Sequence, residues 1–173
     1  MNPNRGVVYS NYRSGGTNRI IAYHSWDDFE DADRNTNAPN IIMTGSLDGN
    51  VSAIKVSPYT TDSSTIFVGT ESGSVFKVTN ADTADANDNS TANWSNITGS
   101  QFLGSVSDIE FGKDENHLFV TFHNYGVENI FYSEDGGQSW TEKEGNLPDI
   151  PVRCILQNPL SLNEVIIGTE LGV

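Results

Sequence analysis

Val106-Ser-Asp-Ile-Glu-Phe-Gly-Lys113 occurs in two further versions, Val51-Ser-Ala-Ile-Lys-Val-Ser-Pro58 and Val152-Arg-Cys-Ile-Leu-Gln-Asn-Pro159. The shared Val-x-x-Ile pattern recurs at spacings of 55 and 46 residues. Each copy has the short, apolar, β-branched character of a buried strand. A small glycine cassette lies just upstream of each: Thr44-Gly-Ser-Leu47, Thr98-Gly-Ser-Gln101 and Glu144-Gly-Asn-Leu147. Strand and cassette therefore travel together as one repeating unit.

A second apolar run follows each Val-x-x-Ile strand after a polar loop: Thr65-Ile-Phe-Val-Gly-Thr70, His117-Leu-Phe-Val-Thr-Phe122 and Glu164-Val-Ile-Ile-Gly-Thr169. Gly69 and Gly168 read as hairpin glycines, since a tight turn needs the positive φ that glycine adopts freely. A third strand is expected at Ser74–Thr79 and at Glu128–Ser133, and a fourth near Trp94 and Trp140. Four short antiparallel strands in roughly 45 residues are the signature of a propeller blade. The N-terminal segment fits the same register without a first strand, and the last repeat reaches only its second. The expectation is an all-β, partial β-propeller of about three four-stranded blades, occupying 1–173 with blade parts 6–44, 51–98, 106–143 and 152–173. Both termini then fall inside blades, as in an excerpt of a larger propeller.

Ser133-Glu-Asp-Gly-Gly-Gln-Ser-Trp140 matches Ser-x-Asp-x-Gly-x-x-Trp and resembles the Asp-box, or BNR, repeat. The local chemistry is that of a turn. Asp135 can accept backbone N–H bonds, Gly137 can take a positive φ, and Trp140 can cover the hairpin; Ser133 opens it. The resemblance implies a propeller of the sialidase, xyloglucanase and sortilin type, similar to the repeat-rich secreted propellers of Bacteroidetes, with the box as a peripheral structural hairpin between third and fourth strands. A weaker version aligns Asn80 with Asp135 and Trp94 with Trp140. An Arg-Ile-Pro-like element and a set of carboxylate-gripping arginines, which the sialidase branch implies, are missing: Arg19-Ile-Ile stands instead, and the chain has five arginines.

Composition bounds the partners. The 173 residues carry a net charge of −14, from 9 basic and 23 acidic side chains. Such a field repels phosphate, so nucleic acid and anionic membrane are excluded as expected partners. No run approaches the ~18 apolar residues of a membrane span. One cysteine, Cys154, leaves no disulfide framework and no multi-cysteine zinc site. A solvated face rich in Asn, Ser, Thr and Gly suits an exported protein, so an extracellular or cell-surface location is expected, with a polysaccharide or protein ligand, the remaining blades as partners, and no cofactor.

Two constellations could carry chemistry. Asp108 and Glu110 lie two apart on a first strand, facing one side with Cα atoms about 6.5–7 Å apart. A carboxylate pair separated by ~5–9.5 Å serves a glycosidase as acid and base or nucleophile. The other reading makes Glu110 an ion-pair partner of Lys55, its counterpart in the preceding repeat. In the insertion after Asn80, Asp85, Asn87 and Asn89 alternate like the start of a calcium loop, but the glycine at position six and the acid at position twelve are missing, and a solvated loop is the expectation. His24, His117 and His123 have no metal-ligand spacing, and the acidic run Asp27–Asp33 has none either. Non-catalytic binding or scaffolding is the leading functional expectation; part of a xyloglucanase-like glycoside hydrolase is the alternative.

Overall fold

The computed structural model describes residues 8–14, 16–23, 41–43, 47–82 and 92–173. Among them are strands and turns and no helix. A three-stranded sheet comes first: β1 (Val8–Ser14), β2 (Thr17–Tyr23) and β3 (Ile41–Met43). The second sheet holds β4 (Val51–Val56), β5 (Ile66–Thr70), β6 (Val75–Thr79) and β7 (Asn93–Asn96). The third repeats it with β8 (Val106–Phe111), β9 (Leu118–Phe122), β10 (Ile130–Ser133) and β11 (Thr141–Glu142). The last contains β12 (Val152–Gln157) and β13 (Val165–Thr169). Every pairing is antiparallel between sequence neighbours, so the all-β, blade-like reading of the repeats is the observed architecture.

The repeat reaches the level of register. Ile54 opposes Val68, Ile109 opposes Val120, and Ile155 opposes Ile167. Each first strand also carries a bulge at the same place, between Val51 and Ala53, Val106 and Asp108, and Val152 and Cys154. One extra residue per bulge re-aims the side chains that follow it. Val-x-x-Ile thus encodes a kinked inner strand as well as an apolar one.

Strands β5 and β9 are buried along their whole length because both faces of their sheets are covered. Period-2 alternation divides β5 between two cores. Ile66 and Val68 pack toward the first sheet, while Phe67 packs with Ile109, Phe111 and Val120 of the third. Phe119 and Ile130 repeat the arrangement one sheet on, against Val152 and Ile155. Phe67 meets Phe111 edge to face at 5.3 Å. Its truncation to alanine would cost about 3–5 kcal/mol, the usual range for a buried phenylalanine.

Gly69 and Gly168 correct the hairpin reading. Neither supplies the turn: Gly73, with φ 88°, and Gly172, with φ 127°, do so four residues later. Gly69 lies inside β5, where a Cβ would run into the Val106 side chain of the next sheet. Gly168 lies in β13, where a Cβ would meet Cys154 Sγ at 2.6 Å. Close approach, not a left-handed backbone, requires glycine there.

Candidate functional site

The inner strands β4, β8 and β12 carry Lys55, Glu110 and Leu156 at one equivalent register position in their respective sheets. Lys55 Nζ donates to Glu110 Oε2 at 2.7 Å, tying the second sheet to the third. Asp108, two residues earlier on β8, bonds across the other seam, to the fourth sheet. Its Oδ2 accepts the N–H of Ile155 at 3.1 Å and its Oδ1 that of Ile109 at 2.9 Å. Ser107 Oγ adds a bond to the Val152 carbonyl at 2.6 Å. Burial pushes the Asp108 carboxyl above its ordinary value; the Ile155 N–H, the Lys55 charge and the Ile109 N–H oppose this without cancelling it.

Beyond Glu110 the loops after the inner strands enclose a cleft of about 620 Å³, whose lining includes Lys55, Tyr59, Glu110, Lys113, Gln157 and Leu162. Tyr59 is held there by its hydroxyl, which donates to the Gly112 carbonyl at 2.9 Å, and by an edge-to-face contact with Phe111 at 5.7 Å. Polar groups with apolar walls and an aromatic ring are the usual composition of a small-ligand site.

Next to the cleft stands Glu115, which sequence reasoning missed. Ser57 Oγ and Thr60 Oγ1 both donate to its Oε2 at 2.5 Å, and Lys77 Nζ lies 2.8 Å from its Oε1. Burial alone would raise this carboxyl, but Lys77 and the two hydroxyls outweigh it and hold it below the usual carboxylate range. Its hydroxyl partners lie 58 and 55 residues away in sequence, so only the sheet stacking joins them.

The Ser133–Trp140 turn is closed from within. Ser133 Oγ donates to Asp135 Oδ1 at 2.8 Å and accepts the Gly137 N–H at 2.8 Å. Asp135 Oδ1 accepts the Ser139 N–H at 2.9 Å, and Oδ2 the Ser139 hydroxyl at 2.6 Å. These Ser139 bonds, helped by Ser133, lower the Asp135 carboxyl to about 2. Gly136 and Gly137 take φ of 73° and 91°, and a Cβ on Gly137 would meet Ile97 at 2.8 Å. Trp140 reaches out of its hairpin: Nε1 donates to the Ile97 carbonyl, beyond the preceding sheet's last strand, at 2.8 Å, and the ring packs on Phe102 at 5.1 Å.

In the preceding sheet Val78 opposes Trp94 and Phe76 opposes Asn96, as Phe131 opposes Glu142, so register puts Trp94 where Trp140 stands. Asn80 has φ 54°, a left-handed value that asparagine tolerates better than most side chains. The Trp94 Nε1 is buried without an acceptor among the described residues.

Asp85, Asn87 and Asn89, like His24 and the run Asp27–Asp33, lie outside the described residues. Among the described residues no group of three or more His, Cys, Asp or Glu is arranged to hold a metal ion. Nor is any helix there long and apolar enough to cross a membrane.

No protein-family model and no curated protein matches the chain. Among solved structures it is similar to the GH74 xyloglucanase from Xanthomonas campestris, with a TM-score of 0.54 and 12% sequence identity. The match covers 87% of this chain but 23% of the xyloglucanase, so the chain spans about a quarter of that protein's length. At this identity the likeness establishes a β-propeller fold and nothing finer.

Proposed function

We propose that the chain is a non-catalytic segment of an extracellular or cell-surface propeller that serves binding or scaffolding, with the cleft beside Tyr59 as its contact point for a polysaccharide or protein ligand. One observation carries this reading. Both carboxylates of β8 have partners across the sheet seams, Glu110 with Lys55 at 2.7 Å and Asp108 with the Ile155 N–H at 3.1 Å. A glycosidase needs one carboxyl free to protonate a leaving group and a second free to attack or to activate water. In this reading Ser133, Asp135, Gly137 and Trp140 brace the hairpin, as the Asp-box resemblance implies.

The second reading, part of a xyloglucanase-like glycoside hydrolase, has its own support. The matched structure is a xyloglucanase, and burial raises the Asp108 carboxyl as a general acid requires. Its remaining catalytic group would then come from outside these sheets. Incubation with xyloglucan and with other plant and algal polysaccharides separates the two. Binding without release of reducing sugar is the expected result. Sugar release that disappears in folded Asp108→Asn or Glu110→Gln protein would overturn the non-catalytic reading.

A further inference from the structure

The chain has four lysines, and three of them are committed. Lys55 is tied to Glu110 at 2.7 Å, Lys77 to Glu115 at 2.8 Å, and Lys143 stands over the Tyr132 ring, 6.0 Å from its centre. Lys113 is exposed and has no ion pair or hydrogen bond among the described residues. Its neighbour Asp114 is engaged at Oδ1 by the His117 ring at 2.6 Å and by the Asn116 N–H at 2.9 Å. One ammonium is therefore left over, and it lines the cleft beside Tyr59.

The carboxylate in that lining, Glu110, is saturated: Oε2 accepts from Lys55 and Oε1 from the Phe111 N–H at 2.8 Å. Gln157 donates through Nε2 to the Leu162 carbonyl at 2.9 Å, which leaves its Oε1 to accept from a hydroxyl. Tyr59 is 44% exposed and supplies ring surface. The free charge of this cleft is thus positive in a chain of net charge −14. A second cleft of about 470 Å³, at the opposite strand ends, is lined by Glu128, Glu144 and Asp149 with no lysine or arginine.

We infer that the ligand of the Tyr59 cleft is an acidic saccharide unit, a hexuronate or a sulfated hexose, whose anionic group pairs with Lys113 while its hydroxyls meet Gln157 and its ring covers Tyr59. This rests on the cleft being the contact point proposed above. A saccharide uses hydroxyl, ring face and anion at once, whereas an acidic side chain of a protein ligand uses the ammonium alone. The cleft volume of about 620 Å³ lies within the ~300–1,000 Å³ of small-ligand sites. The chain's overall negative charge does not forbid the contact, since exposed charges more than about 8 Å away are largely screened at physiological ionic strength. One anion for one ammonium also separates this ligand from nucleic acid, whose further phosphates would lie on an acidic surface.

Calorimetric titration with matched disaccharides tests the inference. Cellobiouronic acid differs from cellobiose by a carboxylate, and neocarrabiose sulfate from neocarrabiose by a sulfate. At least one acid should bind about tenfold or more tighter than its neutral partner, and the arm in which it does so identifies the anion. Lys113→Gln should erase that ratio with neutral binding and circular dichroism unchanged, Lys113→Arg should keep it, and Tyr59→Ala should weaken acid and neutral sugar alike. Equal binding of acid and neutral sugar, or a preference that survives Lys113→Gln, overturns the inference while the binding reading stands. The acidic tripeptide Gly-Glu-Gly binding with the same Lys113 dependence, where the disaccharides do not bind, overturns it in favour of a protein ligand. Binding of no disaccharide, no peptide and no polysaccharide overturns both this inference and the binding function beneath it.

Discussion

Lys55 and Glu110 occupy the same register position in successive sheets, and the Lys55 ammonium reaches across the seam to bond the Glu110 carboxylate at 2.7 Å. The pair is part-buried, with side chains 33% and 16% exposed, so it lies between a screened surface pair and a desolvated one. Lys55→Met and Glu110→Gln should each destabilise the fold. The double variant should lose less than the sum, leaving a coupling of roughly 1 kcal/mol in a urea-denaturation cycle. A coupling indistinguishable from zero would make this contact irrelevant to the stacking of the sheets.

Asp108 should behave in the opposite sense to an ordinary ion-paired carboxylate. Its folded pKa is raised by burial, so ionisation is easier in the unfolded chain, and stability falls as pH rises from the unfolded pKa toward the folded one. Asp108→Asn removes that penalty and keeps an oxygen for the Ile155 N–H. The variant is expected to melt higher than the parent at pH 7 and at the same temperature near pH 3. A lower melting point at pH 7 would mean that the charge itself is needed at the seam.

Asp135 gives the other sign. Its folded pKa of about 2 lies below the ~3.9 of an unfolded aspartate. The stabilisation is fully present above pH ~4 and is lost as pH falls through the folded value, in the window from about 4 to about 2. Asp135→Asn should therefore flatten that part of the stability profile and leave ligand binding untouched. An unchanged acid profile would show that the Ser139 bonds do not depend on the charge.

The order of strands was legible because a two-sided sheet imposes a short apolar run on every second strand, and Val-x-x-Ile marks each bulged inner strand that follows a glycine cassette. Register made Trp94 and Trp140 equivalent even across the insertion. Glu115 was not legible, since its partners Ser57, Thr60 and Lys77 meet it only when two sheets stack. Gly69 misled for a related reason: a glycine at a strand end looks like a turn, and the Val106 side chain that forbids a Cβ comes from the next repeat. Asp108 and Glu110 lie two apart on β8 in plain sight of the sequence, but the sequence carries no trace of the Ile155 N–H that holds Asp108.

The two tryptophans offer a test in which one protein serves as its own control. Trp140 donates its indole N–H to the Ile97 carbonyl, whereas Trp94, at the equivalent place, has no acceptor among the described residues. Phenylalanine keeps most of the ring and deletes the donor. Trp140→Phe removes a bond between neighbouring repeats and leaves the Ile97 carbonyl without that donor, which should cost about 1–3 kcal/mol. Trp94→Phe deletes a buried donor that gains nothing, so the hydrogen-bond loss is nil and its Phe76 contact, edge to face at 6.1 Å, keeps an aromatic partner. Its expected change is smaller than that of Trp140→Phe and can favour the variant. Chemical denaturation of the two variants decides the matter: equal losses would show that ring volume, not the bond to Ile97, makes Trp140 important to the stacking.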